Sequence, residues 1–215
     1  MKVIDLTYTI SEKMPVYPGT ATPKLEVANT YETNGFKETL LTMFSHTGTH
    51  MDAPSHIFEH RTTLDAFPVE QFIGKGLVID CSELGEGQRI KMSHIEAVKE
   101  KADQAEFLLF YTGWDKHWGT NAYFGDYPAI TEEVADYLIS SKKKGVGLDV
   151  IGIDPVSDEN LTIHHKLFAE TEIVVIENLA RLGEIGNELF TFFALPLKYE
   201  NSDGAPIRAV AVLNK

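Results

Sequence analysis

The chain has 215 residues, 43% of them hydrophobic and 24% charged, with a formal net charge of −13. That composition excludes a disordered or membrane-spanning class, and the acidic balance argues against nucleic acid or an anionic membrane as partner, since both require a basic surface. The single cysteine, Cys81, cannot close an internal disulfide, and the first six residues lack a secretory signal's apolar core, so the expectation is one cytoplasmic domain over residues 1–215.

In chain order, Ile4, Leu6, Tyr8 and Ile10 alternate with polar residues and predict a strand with one buried face. The prolines and glycine of 14–20 predict a loop in which Met14 and Tyr17 pack on the core or line a pocket. Residues 36–44 are apolar on both faces through Leu40, Leu41, Met43 and Phe44, predicting a buried strand that leads into His46. A third strand is expected over 76–81, with Cys81 as an inert buried thiol. Ser93 and Glu96 have capping-box spacing ahead of Ile95, Val98 and Ala102, predicting a short helix. Residues 107–111 form a continuous apolar strand that ends in an aromatic loop from Trp114 to Tyr127.

Thr131 opens a second helix, with Val134, Ala135, Leu138 and Ile139 inward and Lys142, Lys143 and Lys144 as its solvated C-terminal end. A strand over 146–154, a short helix over 163–169 and strands over 173–177, 189–195 and 205–213 complete the chain. Strands and helices alternate only in the middle, so the fold class is α/β with a mixed or largely antiparallel sheet.

The chemistry concentrates in His46-Thr47-Gly48-Thr49-His50-Met51-Asp52-Ala53-Pro54-Ser55-His56, which holds three of the eight histidines. The β-branched threonines, Gly48 and Pro54 disfavour a helix, and the even offsets start all four side chains on one face of an extended segment. Imidazoles with a carboxylate are the ligand set of zinc, manganese and iron. His46, His50 and Asp52 supply three ligands. His56, beyond Pro54, stands as a neighbouring acid/base if the chain turns there, although spacing alone leaves it open as a ligand. A second cluster joins His164 and His165 with Glu177, whose carboxylate follows four aliphatic residues and would be costly to bury without a cation. His60, His94 and His117 have no partners at ligand spacing. Neither a Gly-x-Ser-x-Gly elbow nor a phosphate-binding glycine loop is present, which leaves metal-assisted chemistry.

The eleven-residue segment resembles the His-x-Gly-Thr-His-x-Asp-x-Pro-x-His signature of the cyclase-like metal-dependent hydrolases, a family that includes bacterial kynurenine formamidase and isatin hydrolase. The likeness extends through the opening Ile-Asp-Leu-Thr, the Pro15–Gly19 loop, Thr112-Gly113-Trp114, Gly152-Ile153-Asp154, Ile176-Glu177-Asn178-Leu179 and Ala194-Leu195-Pro196-Leu197. The resemblance implies a single mixed-sheet domain of the swivelling β/β/α type, a homodimer or homotetramer, and one or two divalent ions, zinc or manganese, per subunit. It implies His46, His50 and Asp52 as ligands, the aspartate able to bridge two ions, and His56 as catalytic acid/base. It adds a later histidine and a glutamate twelve residues on; counting back from Glu177 selects His165, with His164 adjacent. Formamidases of the family commonly carry tryptophan where this chain has Tyr17, which implies Tyr17 beside a substrate's aromatic ring.

The implied reaction is hydrolysis of a small amide C–N bond, as of N-formylkynurenine to kynurenine and formate. A lactam or cyclic amide is the alternative substrate, and a non-catalytic metal or small-molecule binding protein is the alternative function.

Overall fold

The computed structural model describes residues 1–213. The elements run β1 (Lys2–Asp5), β2 (Lys24–Asn29), α1 (Tyr31–Asn34), β3 (Glu38–Thr42), β4 (His50–Asp52), β5 (Ile73–Asp80), β6 (Arg89–Ile90), α2 (Met92–Glu96) and α3 (Lys99–Gln104). They continue as β7 (Phe107–Tyr111), β8 (Ala129–Ile130), α4 (Glu132–Ser140), β9 (Gly145–Leu148), α5 (Thr162–Phe168), β10 (Val174–Glu177), β11 (Phe190–Pro196) and β12 (Gly204–Leu213).

Eight strands form one mixed sheet in the order β1-β12-β11-β5-β7-β9-β10-β4. The apolar middle strands β5, β7, β9 and β10 run parallel, as expected of strands buried on both faces. Period-two alternation sends Leu108 and Phe110 of β7 into the core beneath α4 and α5, and Phe107 and Leu109 into a second core with Phe192 and Ile176. The remaining pairings are antiparallel, and β4 pairs with both β10 and β12, so the two ends of the sheet meet. This confirms the mixed α/β sheet. Among the described residues, no helix is long and apolar enough to cross a membrane.

Several local expectations change, and one is that the strand expected over 146–154 ends at Leu148. The N-terminal strand stops at Asp5, although Leu6 stays buried and its N–H still bonds the Ala209 carbonyl. Residues 36–44 are not a buried strand: β3 pairs only with β2, which periodicity did not reveal, and all five of its residues are exposed. Helix α2 begins at Met92, ahead of Ser93, and the cap is formed by the Lys91 N–H donating to His94 Nδ1 at 3.0 Å. Lys143 is buried, not solvated, because its ammonium donates to the Ala102 and Ala105 carbonyls at the end of α3, at 2.5 and 2.6 Å.

Candidate metal centre

The site sits where the sheet closes. In β4, His50 lies opposite Glu177 of β10, and Asp52 lies opposite Gly204 of β12. His50 and Asp52, two residues apart in a strand, share one face, while His46 reaches the same point from the bend that precedes it. Gly48 makes that bend with φ +68°, a conformation that a side chain would strain. His50 Nδ1 lies 2.8 Å from the Gly48 carbonyl, which can only accept, so Nδ1 carries the proton and Nε2 faces the site. Asn178, with φ +57°, secures the same bend by donating from Nδ2 to Gly48 O at 2.9 Å.

Asp52 is the hub. Its Oδ1 stands 2.6 Å from His46 Nδ1 and 3.3 Å from His50 Nε2, and its Oδ2 stands 3.3 Å from His164 Nε2. Glu177 is divided in the same way: Oε2 lies 3.4 Å from His50 Nε2, and Oε1 lies 3.6 Å from His164 Nε2. Oε1 also accepts from the Ile153 N–H at 2.7 Å, which fixes the carboxylate. The glutamate that ends β10 is therefore buried, at 5% exposure.

The histidine that the fold brings beside Asp52 and Glu177 is His164, and it does not bring His165 there. In α5, residues Ile163, His164, Leu167 and Phe168 form the buried stripe. His165 falls on the opposite face, exposed and edge-on to the Phe58 ring at 5.3 Å. Asp154 selects the rotamer, accepting from the backbone N–H groups of Ile163 and His164 and standing 2.6 Å from His164 Nδ1. The stripe was readable from the sequence, since His164 stands three and four residues before Leu167 and Phe168. Asp203 was missed altogether: its Oδ2 lies 3.0 Å from His46 Nε2, and only a turn signal marks it in the sequence.

His56 lies in a 3-10 turn with Pro54, and its ring packs at a tilt against His46, ring centroids 4.0 Å apart. Asp203 Oδ2 stands 3.9 Å from its Nδ1, beyond hydrogen-bond reach. Of the remaining histidines, His94 pairs with Glu83 at 3.0 Å, His117 packs on Trp114 and His60 is exposed, as expected of residues outside a site.

The electrostatics follow from burial opposed by charge. Burial lowers His50, but the adjacent Asp52 charge reverses it and leaves the imidazole well above its ordinary range. Against the same burial, the Asp52 charge and hydrogen bonds to Asp203 and Asp52 raise His46 to about 9. Burial lowers His164 as well, but hydrogen bonds to Asp154 and Asp52 override it and raise the ring to about 10. Asp52 is buried yet held well below the carboxylate range by His46 and His50. His56 departs from the others: although part of its surface is exposed, desolvation at the cavity, with the charges of His46 and His164, lowers it to about 4 against the pull of Asp52.

A cavity of about 630 Å³ opens over the cluster, lined by Tyr17, Phe44, Ile151, Val156 and Leu161 on its apolar side. Tyr17 stands at its lip, 43% exposed.

The donor set fits divalent metal. His46, His50 and Asp52 form one group, and Asp52, His164 and Glu177 form another, each with its ligand atoms within 4.8 Å of one another. Among the described residues, the cationic side chains within 4.0 Å of the buried Asp52 and Glu177 are imidazoles alone. Without an ion, two carboxylates at such a depth are compensated only by protons on these imidazoles, and a divalent cation can take the place of those protons.

The chain is similar along nearly its whole length to known proteins. Kynurenine formamidase of Bacillus thuringiensis (strain Al Hakam) is 30% identical over 210 residues, covering 96% of this chain and 95% of that protein. Isatin hydrolase A from Labrenzia aggregata, solved with benzyl benzoate, superposes with a TM-score of 0.90 at 26% identity, covering 100% of this chain and 94% of the other. A predicted metal-dependent hydrolase from Bacillus stearothermophilus gives a TM-score of 0.75 at 29% identity, covering 98% and 97%. The sequence profile described as putative cyclase matches residues 4–155, and it is to this cyclase family that the chain belongs.

Proposed function

We propose that the chain is a divalent-metal-dependent hydrolase of a small amide C–N bond, of the arylformamidase type, with a lactam or cyclic amide as the alternative substrate. What carries the reading is Asp52, whose two oxygens face separate imidazole groups beneath a cavity that also holds an uncommitted histidine. His46, His50 and Asp52 Oδ1 would hold one ion, and Asp52 Oδ2, His164 and Glu177 a second. The mixed nitrogen and oxygen set suits zinc or manganese. When bound, the metal supplies a water of lowered pKa and a Lewis acid for the substrate carbonyl.

The protein's own residues do the rest. Asp154 and the Ile153 N–H orient His164 and Glu177 so that neither ligand has to reorganise. His56, neutral at pH 7, would take the proton of the attacking water at a ring nitrogen and give it to the leaving nitrogen as the C–N bond breaks. Tyr17 and Phe44 offer aromatic faces to a planar substrate at the apolar side of the cavity. A binding protein that took only metal would have no use for His56, and this favours the enzyme over the non-catalytic alternative.

The reading extends to a small-molecule substrate, a cytoplasmic setting and a second copy of the chain as partner. The β2–β3 arm supports the last: Val27, Tyr31, Phe36, Leu40, Leu41 and Phe44 are 51–67% exposed there, and an isolated two-stranded ribbon is marginal in water. The deciding experiment screens N-formylkynurenine, isatin and simple formanilides against metal-loaded protein, with metal content measured on the same sample. Hydrolysis of one or more of them, dependent on metal and on His56, is expected. Stoichiometric metal with turnover of none would overturn the substrate class.

A further inference from the structure

A fourth acidic side chain at the cluster, Asp203, lies outside both groups that contain Asp52, grouping instead with His46 and His56, and it enters the site from the residue just before β12. Its Oδ2 accepts from His46 Nε2 at 3.0 Å and from Ser45 Oγ at 3.3 Å, and its Oδ1 accepts from the Tyr199 hydroxyl at 3.1 Å. The Asp203 carbonyl accepts from the Ala53 N–H at 2.9 Å, so the residue is tied through the backbone to the end of the ligand strand.

Gly204 makes the contact possible. A Cβ built on it would stand 2.4 Å from His46 Cε1, 2.6 Å from Nε2 and 2.9 Å from Nδ1. The Nδ1–Cε1–Nε2 side of the imidazole therefore lies against a bare α-carbon, and no larger residue leaves it room. The His56 ring sits tilted beside it, and one of its nitrogens is taken by Asp203.

We propose that Asp203 and Gly204 are a positioning pair for His46: Gly204 provides the slot for the ring, and Asp203 holds the proton on Nε2 so that Nδ1 is left as the metal-binding atom. A carboxylate on the far nitrogen of a ligating imidazole fixes its tautomer and raises its basicity, and loss of such a partner typically lowers metal affinity by ~10–100-fold. The inference rests on His46 being a ligand. It requires nothing of the substrate, and its test uses metal binding and tautomer state, not turnover.

The test compares wild type, Asp203→Ala, Asp203→Asn and Gly204→Ala by zinc competition against a chelating dye. Long-range 1H–15N correlation of the zinc-loaded protein reads the His46 tautomer in the same samples. Asp203→Ala should bind ~10–100-fold more weakly and lose the single Nε2–H form of His46, whereas Asp203→Asn, whose amide oxygen still accepts, should recover most of the affinity and the tautomer. Gly204→Ala should expel the ring and weaken zinc by at least as much. If that variant does not fold, the two Asp203 variants decide. Wild-type affinity and tautomer in Asp203→Ala would overturn the pairing alone. A wild-type chain that binds no zinc would overturn the metal reading with it, so the two failures are distinguishable.

Discussion

Replacing His164 and His165 separately by alanine is a sharp test of the site, because the two are neighbours in sequence and opposites in structure. His164 is 5% exposed and reaches both Asp52 and Glu177, whereas His165 is exposed and touches Phe58. Removing an outer partner of a ligand costs ~10–100-fold in metal affinity, so losing the ligand itself should exceed ~100-fold, about 2.7 kcal/mol. His165→Ala should stay within about twofold, as expected for a surface change. The metal-free protein gives an independent reading. The folded pKa of His164 is raised from 6.5 to about 10, so its contribution to stability is full below pH 6.5 and disappears as pH rises through about 10. At about 1.4 kcal/mol per unit, that interval amounts to a few kcal/mol. Urea unfolding in chelator from pH 6 to 10 should therefore show wild type exceeding His164→Ala most at pH 6, with the difference shrinking upward. The reasoning is refuted if His165→Ala loses metal while His164→Ala keeps it, or if the stability difference grows with pH.

His56→Ala should keep its metal while kcat falls ~10²–10⁴-fold, measured with whichever amide proves a substrate; full activity with metal in place would remove its role as acid/base. Leu40→Glu with Leu41→Glu should convert a dimer or tetramer to monomer in sedimentation velocity, since both side chains are about half exposed on the unpartnered arm; a monomeric wild type at micromolar concentration would defeat the proposed self-association. Cys81 is fully buried and its thiol is pushed up by burial, so a thiol-reactive dye should label it only after denaturation. Stoichiometric labelling of the folded chain would contradict that packing.

The readable parts of the fold were those whose own pattern decided them. The apolar runs of β7 and β10 are buried on both faces, one against the core beneath α4 and α5 and the other against the second core, and the His46–His56 segment concentrates donors too densely for an ordinary loop. Residues 36–44 misled for a physical reason: a strand apolar on both faces signals two covered faces, and a single chain leaves those of β3 exposed. Lys143 looked like its neighbours Lys142 and Lys144, because nothing in a run of lysines tells which one meets the carbonyls of α3. Asp203 was invisible for a related reason, since its contact with His46, 157 residues earlier, depends on β12 returning to β4.

That return also links the chemistry to the architecture. β4 is three residues long, and it pairs on one side with the strand carrying Glu177 and on the other with the strand that begins at Gly204. Closing the sheet therefore brings Asp52 beside Glu177 in a buried place, where two bare carboxylates would repel. In the metal-free protein, protons on His46, His50 and His164 relieve that repulsion, and this is why all three rings are shifted upward while Asp52 is shifted down. A divalent ion must displace those protons to bind. Metal affinity should thus fall as pH is lowered from 9 to 6, even though Asp52 stays ionised throughout, because the competition is with the imidazoles and not with the carboxylate. The seam between β4 and its two neighbours is where folding assembles the ligands and where binding would in turn hold the sheet closed.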